Sequence, residues 1–253
     1  MRIISGILLS ILALFLFSCA EKPQFPEKRS EKFPAAALTV SRPFFQYESN
    51  FADSLPEQIV GNELQQLKSF ISKYENRDES FSVEKMESLW ESENKRIEST
   101  GSEAVLSWIE VTGFLLEITG KPLYAEELQK LSTTENMGLS ASEFELTEQQ
   151  LAPFIFTKNV DHIFVNFFVN SSVEYVHSLG GKVKITQELT GSNSLLLKFS
   201  TTDKRYIEVN ILIPSGAKNA TVTEKNVKYV ATPGEYCLIA RKWKEGDVVE
   251  VKY

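Results

Sequence analysis

Side chains that commonly act as nucleophiles or metal ligands are few in this chain of 253 residues. It has two cysteines, Cys19 and Cys237, and two histidines, His162 and His177. Because a structural zinc site takes about four such ligands, the sequence predicts no metal site and no cofactor. Cys237 lies in an apolar segment without a basic neighbour, which indicates an inert core thiol. The two histidines flank predicted strands and are interpreted as strand-edge or core residues.

Carboxylates are the second group that could do chemistry. A pair of them roughly 5 to 10 Å apart hydrolyses glycosides in many enzymes. The helical segments offer Glu98, Glu103, Glu110 and Glu117, but 34 acidic residues make such coincidences common. We therefore interpret these four as solvated residues and expect no catalytic residue.

Aromatic side chains could bind a sugar by stacking, since an aromatic face complements the apolar face of a sugar ring. Trp90 lies in the charged stretch ESLWESENK. It is the candidate for an exposed glycan contact. Trp108, Trp243, Tyr236 and Tyr253 could stack on a sugar in the same way, but Trp108 and Trp243 are more simply explained as core residues.

Cys19 closes an N-terminal apolar run. Arg2 precedes this run, which ends in Leu16, Phe17, Ser18 and Cys19. The pattern over residues 1–18 is typical of a secretory leader, and its end resembles the lipobox of bacterial lipoproteins. The run is shorter than the ~20 residues that a membrane-spanning helix needs. We expect a lipid on the Cys19 thiol and an outer-membrane lipoprotein that faces the periplasm or the cell surface.

The charge balance excludes one class of partner. The net charge is −7 at pH 7, so no basic surface is available to neutralise nucleic-acid phosphates. The expected partners are the membrane, through the anchor, and a polysaccharide or an envelope protein.

Local composition divides the rest of the chain into three parts. Residues 19–50 contain the lipidated cysteine, a Lys/Glu/Pro spacer to Pro34, and an arm or strand with an apolar stretch at 36–40 and aromatic residues at 44, 45 and 47. Residues 51–150 have the apolar period of helices, although 132–150 are polar and predict little order. The segment 103–119 is apolar enough to be buried on more than one side.

Residues 151–253 predict a β-sandwich, because short alternating apolar segments are separated by Gly, Pro, Asn and Ser. Residues 162–170 predict one strand that is apolar on both faces, and 182–190 predict a strand with Val183, Ile185 and Leu189 inward. The segment 205–214 places Ile207 to Ile213 inward at alternate positions. The fold class is therefore α+β, a small helical region followed by an antiparallel sandwich.

Several segments of the sandwich resemble glycoside hydrolase family 127, the β-L-arabinofuranosidase-like proteins. Residues 164–168 (FVNFF) are similar to the aromatic-V-N-L-Y strand of that family, and residues 183–188 (VKITQE) to its V-x-I-T-Q-E segment. Residues 211–215 (ILIPS) resemble its L-R-I-P-S turn. Its G-x-Y and R-x-W-x-x-G-D-x-V endings have counterparts at 234–236 and 241–250.

The resemblance extends upstream to the tryptophan helix around Trp108 and to residues 119–128 (TGKPLYAEEL), which look like the end of the helical barrel of the family. It implies that the helical region is the remnant of an α/α barrel. The enzymes of the family hold zinc and a nucleophile with cysteines of E-T-C and C-C-P-P-N motifs. Residues 100–104 (TGSEA) and 151–154 (LAPF) stand at those places without a cysteine.

The sequence therefore predicts a membrane-anchored relative of this family that is non-catalytic and binds glycan or a partner. Two alternatives remain open at this point. One is a glycoside hydrolase that uses another carboxylate pair, and the other is a structural envelope protein without a ligand.

Overall fold

The computed structural model describes residues 25–42, 62–94, 102–133 and 141–253. The predicted leader, Cys19, Glu98 and the aromatic residues at 44, 45 and 47 lie outside these ranges. The α+β fold class is confirmed, since a group of helices precedes a two-sheet sandwich. None of the described helices is both long enough and apolar enough to cross a membrane.

The helical region is organised around one apolar helix. The described helices are α1 (Asn62–Glu75), α2 (Val83–Asn94), α3 (Ser102–Thr119), α4 (Pro122–Thr133) and α5 (Ala141–Leu151). Helix α3 packs against α1, α4 and α5. Its Trp108, Ile109 and Val111 are fully buried, so burial on more than one side is confirmed.

Helix α5 contradicts the prediction of little order between residues 132 and 150. Its sequence, ASEFELTEQQL, has a weak apolar period. The helix is held by tertiary packing: Thr147, Glu148 and Leu151 are buried, and the helix lies against α3 and α4. Packing of one face is enough to override a weak pattern.

The sandwich consists of a five-stranded sheet and a seven-stranded sheet. The strands are β1 (Glu31–Lys32), β2 (Leu38–Val40), β3 (Phe156–Asn159), β4 (His162–Val165), β5 (Ser171–Val176), β6 (Lys182–Gly191), β7 (Ser194–Thr201), β8 (Arg205–Leu212), β9 (Thr221–Glu224), β10 (Val227–Tyr229), β11 (Tyr236–Trp243) and β12 (Val248–Lys252). The five-stranded sheet has the order β1-β3-β4-β8-β11, and the seven-stranded sheet has the order β10-β9-β12-β7-β6-β5-β2.

The prediction of one strand over residues 162–170 is wrong beyond Val165. There the chain leaves the five-stranded sheet and crosses to the other sheet, where β5 begins at Ser171. The crossing is fixed by buried amides: Asn166 Nδ2 donates to the Phe154 carbonyl at 2.9 Å, and Gln187 Nε2 donates to the Phe167 carbonyl at 3.0 Å.

This crossing also explains why the sandwich is not purely antiparallel. Because β5, β6 and β7 all lie in the seven-stranded sheet, β8 returns beside β4 in the parallel direction, with His162 opposite Glu208. The inward positions predicted on β6 hold for Val183 and Ile185. They fail for Leu189, which is 39% exposed beside the register shift between Leu189 and Gly191.

Residues 25–42 form an N-terminal strap across both parts of the molecule, so the prediction of a solvated spacer up to Pro34 is wrong for this segment. The Phe25 ring packs on Tyr74 of α1, with 5.4 Å between the ring centroids. Strand β1 then pairs with β3, and β2 pairs with β5. The predicted arm is thus a strand on the edge of the sandwich.

The strap is held by a buried carboxylate that its composition does not reveal. Glu117, on α3, accepts hydrogen bonds from Lys28 Nζ at 2.6 Å and from the Lys32 backbone N–H at 3.3 Å. The Glu117 carbonyl accepts the backbone N–H groups of Arg29 and Ser30. Phe33 is buried at 5% exposure. A polar, proline-containing segment is therefore ordered by a partner on a distant helix.

Candidate functional site

The thiol and one of the two imidazoles that could act as a nucleophile or an acid–base group are buried. Cys237 is a free, buried thiol on β11, and its burial raises its pKa to about 11. His177 is also buried. Its Nδ1 accepts the Leu179 backbone N–H at 3.0 Å, and its Nε2 lies 3.0 Å from the Tyr206 carbonyl oxygen. Asp161 Oδ2 also lies 3.3 Å from Nε2, so His177 joins the β5–β6 turn to β8.

The predicted carboxylates do not converge. Glu117 is buried and holds the strap, so its interpretation as a solvated residue is wrong. Glu110 is 51% exposed and pairs with Lys68 at 3.2 Å. These two residues are two helical turns apart, about 10 Å along α3. Glu98 and the Glu103 side chain lie outside the described residues. Within the described part of the chain, no group of three or more His, Cys, Asp or Glu side chains is arranged to hold a metal ion.

Trp90 contradicts the expectation of an exposed glycan contact, because its side chain is 1% exposed. Its indole stacks on Trp108 with 5.3 Å between ring centroids, and Tyr124 packs edge-on against it at 4.9 Å. Its Nε1 donates to Thr112 Oγ1 at 2.8 Å. The charged residues around Trp90 in sequence lie on other faces of α2, so both faces of its ring serve the core.

A different set of residues forms an exposed surface on the outer side of the five-stranded sheet. On β8, Ile207, Val209 and Ile211 are fully buried, and the alternate residues therefore point outward. The neighbouring strands β4 and β11 add their own outward residues according to the register. We call this surface the outer strip, and it comprises His162, Phe164, Tyr206, Glu208, Asn210, Tyr236 and Leu238.

One end of the outer strip is polar. The Tyr206 hydroxyl donates to Glu208 Oε1 at 3.2 Å, and His162 Nδ1 lies 3.6 Å from Glu208 Oε2. Desolvation and the hydrogen bond to Glu208 raise the pKa of Tyr206. Tyr206 is 50% exposed, so its ring is available to a ligand while its hydroxyl is fixed.

The other end of the outer strip is apolar and meets the helical region. The rings of Phe164 and Tyr236 are half-buried and pack edge-on, with 5.5 Å between their centroids. Leu238 beside them is 50% exposed. The Tyr236 hydroxyl donates to Asn166 Oδ1 at 2.6 Å, which connects the strip to the buried amide of the crossing.

Helix α4 borders this apolar end. Glu126 accepts the Ser215 backbone N–H at 2.5 Å and, after burial, contributes to the raised pKa of Tyr236. Glu208 lies at the polar end of the strip, four residues along β8 from Leu212, which pairs with Tyr236, about 13 Å along the strand.

The outer face of the seven-stranded sheet has a different chemistry. Its strands carry ion pairs such as Lys198–Glu188 at 2.6 Å and Lys252–Glu250 at 3.0 Å. A surface of paired charges is well solvated. The half-exposed aromatic and aliphatic groups of the outer strip therefore distinguish the two faces of the sandwich.

The alternation within β8 already indicated Tyr206, Glu208 and Asn210 as outward residues. The sequence did not show that β4 and β11 flank β8, since that depends on the parallel pairing produced by the crossing. Without this neighbourhood, the rings of Phe164 and Tyr236 could not be placed beside Glu208.

The sandwich itself is similar to known proteins. Residues 162–253 match the family model described as the middle domain of GH127, β-L-arabinofuranosidase. The resemblance of the sandwich to GH127 is thereby confirmed. For the helical residues upstream, the resemblance stays a prediction.

Solved structures agree at the level of fold. One described as a glycoside hydrolase has a TM-score of 0.52 at 16% identity, covering 60% of this chain and 32% of its own. A GH127 β-arabinofuranosidase has a TM-score of 0.50 at 16% identity, covering 61% and 32%.

A GH127 β-L-arabinofuranosidase from Geobacillus stearothermophilus T6 has a TM-score of 0.48 at 18% identity, covering 59% and 30%. The chain thus spans about a third of the length of these proteins. Comparison with curated protein sequences gives no match.

Proposed function

We propose that this protein is a non-catalytic, glycan-binding relative of the GH127 enzymes, held at the bacterial outer membrane by a lipid on Cys19. The observation that supports glycan binding is the outer strip, in which half-exposed aromatic rings lie beside hydrogen-bonding side chains on one face of a sheet. Aromatic faces pack against the C–H groups of sugars. The polar groups beside them fix the orientation of a ligand.

The shape of the strip favours an oligosaccharide over a single sugar. From Tyr206 to Leu212, opposite Tyr236, the strip extends about 20 Å along β8. Its two ends differ in character, with a tyrosine–carboxylate–imidazole group at one end and an aromatic–aliphatic group at the other. A chain of sugars can contact both ends together, and this adds affinity without new contacts at either end.

The proposal that the protein is non-catalytic is supported by the residues that stand where the enzymes of the family carry the C-C-P-P-N motif. Here residues 151–154 form the end of α5 and a 3₁₀ turn. Leu151, Ala152 and Phe154 are buried in the core, and the Phe154 ring packs against Gly113. This position therefore contributes packing between the helices and the sandwich.

Glycan binding can be tested by thermal unfolding of a form that starts at Ala20, which keeps every described residue. A panel of arabinose-, galactose- and rhamnose-containing oligosaccharides supplies the ligands. A ligand at 100 times its dissociation constant adds about 2.7 kcal/mol of stability. We expect one sugar class to raise the melting temperature.

Variants then connect binding to the outer strip. Tyr206→Ala should abolish the shift, and Tyr206→Phe should retain most of it because the ring stays. Val230→Ala is the matched control, since Val230 is 85% exposed and lies outside the strip. The absence of a shift with every sugar would refute the proposal, and an equal shift in Tyr206→Ala would refute the location.

A further inference from the structure

Glu208 lies at the centre of the polar end of the outer strip. Its side chain is 26% exposed, with Tyr206 next to it on β8 and His162 opposite it on β4. On the other side, β11 places Ala240 opposite Glu208. Because alanine has a small side chain, the carboxylate is reachable from solvent between its two polar neighbours.

Glu208 differs from the buried acids at the end of the sandwich in how its charge is balanced. Glu224 and Asp247 each pair with both Lys225 and Arg241. Glu208 has no such pair among the described residues, where His162 is its one basic neighbour within ion-pair distance.

The other charged groups on this side of the sheet are engaged elsewhere or lie further along the strands. Arg205 binds the Gly180 carbonyl and Asp203. Lys242 is opposite Tyr206, two residues along the strand from the row of Glu208. Within the described residues, a ligand on the strip therefore meets a carboxylate that forms no ion pair with a lysine or an arginine.

We propose that Glu208 makes the outer strip selective for neutral oligosaccharides over chains that carry carboxylate groups. This inference rests on the proposed function. The carboxylate accepts hydrogen bonds from sugar hydroxyls, and hydrogen bonds to an ionised acceptor are about twice as strong as neutral ones. The same carboxylate repels the carboxylate of a uronic acid. The hydroxyl of Tyr206 holds Glu208 in the position where both effects act.

The test compares arabino-oligosaccharides with oligogalacturonates of equal length, by calorimetric titration of the form that starts at Ala20, at neutral pH and low salt. The wild-type protein should bind the neutral chain at least tenfold more tightly. Glu208→Gln should reduce this ratio about fivefold, the size of one like-charge contact at 4 Å in water. Added salt should reduce the wild-type ratio as well.

Glu188→Gln is the matched control, because Glu188 is a half-exposed acid on the outer face of the seven-stranded sheet. It removes the same charge from the protein without touching the strip, so the ratio should not change. Equal binding of both ligand classes, or a ratio that Glu208→Gln leaves unchanged, would overturn the role of Glu208 while glycan binding stands. Failure of both ligands to bind would overturn the inference, and the proposed function would fall with it only if every sugar of the thermal-unfolding panel also fails to bind.

Discussion

At the scale of single residues, a close contact joins the helices to the start of the sandwich. Gly113 on α3 faces the ring of Phe154, and a Cβ at this glycine would lie 2.0 Å from Phe154 Cζ. Phe154 is 3% exposed and surrounded by core residues, so its ring has little room to move. Only a hydrogen at position 113 permits the helix to approach the start of the sandwich this closely.

Gly113→Ala should therefore destabilise the protein in spite of the higher helix propensity of alanine. Overpacking of a core costs about 1 to 3 kcal/mol, whereas the propensity gain is about 1 kcal/mol. The measurement is the urea midpoint of unfolding. Gly216→Ala is the control, because a Cβ there meets no atom within 4 Å. Equal midpoints for wild type and Gly113→Ala would contradict the contact.

Cys237 should be unreactive toward alkylating reagents in the folded protein. Burial raises its pKa to about 11, and a thiol with this pKa is about 0.1% thiolate at pH 8. In the form that starts at Ala20, iodoacetamide should label this thiol slowly when native and rapidly in denaturant. The native rate should rise about tenfold per pH unit up to pH 11. Labelling at the rate of an unstructured thiol at pH 8 would contradict the assignment.

Residue chemistry was predicted well where local sequence determines it and poorly where distant chain segments do. The apolar strand around Cys237 was enough to indicate a core thiol. For Trp90, the charged neighbours in sequence were misleading, because Trp108 and Tyr124 cover its ring from other helices. The anchoring role of Glu117 depends on a strap whose partner lies 85 to 89 residues away in sequence.

At the scale of elements, the strap illustrates how one buried side chain orders a polar segment. Glu117→Ala should release residues 28–32, since Lys28 and the Lys32 backbone N–H lose their acceptor. Loss of a buried hydrogen-bonded group costs about 1 to 3 kcal/mol. The variant should be cleaved by trypsin at Lys28, Arg29 or Lys32 before the rest of the protein unfolds.

The control variant for the trypsin experiment is Glu110→Ala, on the same helix as Glu117. Glu110 pairs with Lys68, but its side chain is 51% exposed. Exposed ion pairs contribute about 1 kcal/mol or less, so this variant should be cleaved like the wild type. If both variants resist trypsin equally, Glu117 does not control the strap.

Most sandwich strands were predictable because their apolar residues alternate, as in β6, β8 and β11. The crossing at residues 166–170 could not be predicted, since Phe167, Phe168 and Val169 are all buried and continue the apolar pattern of the strand before them. Local sequence cannot distinguish a strand buried on both faces from a chain that passes between two sheets. Helix α5 was missed for the opposite reason. Its apolar residues have only a weak helical period, and packing against α3 and α4 stabilises it.

At the scale of the whole molecule, the two outer faces of the sandwich are differentiated by topology. The same strand pattern of apolar inward and polar outward residues occurs in both sheets. The half-exposed rings collect on the five-stranded sheet because the parallel β4–β8 pair and β11 place Phe164 and Tyr236 near each other. Sequence could therefore predict a sandwich with polar faces, but it could not say which face carries the candidate site.

The strap also sets how far the folded protein extends from the proposed anchor. Phe25 packs on α1, so six peptide units separate the folded part from Cys19, a reach of about 20 Å at full extension. A solvated spacer up to Pro34 would have allowed about 50 Å. If Cys19 is lipidated, Phe25 and the helix on which it packs lie within about 20 Å of the membrane surface.

The anchor gives the last prediction. With one or more acyl chains on Cys19, at about 0.8 kcal/mol per buried CH₂, the full-length protein should partition with membranes and into the detergent phase. Cys19→Ala should move it out of both, because the variant lacks the thiol that carries the acyl chains. Cys237→Ala removes the other thiol, which is buried in β11, and should partition like the wild type. Membrane association that survives Cys19→Ala would show that the thiol is not the point of attachment, and the distance limit set by the strap would no longer apply.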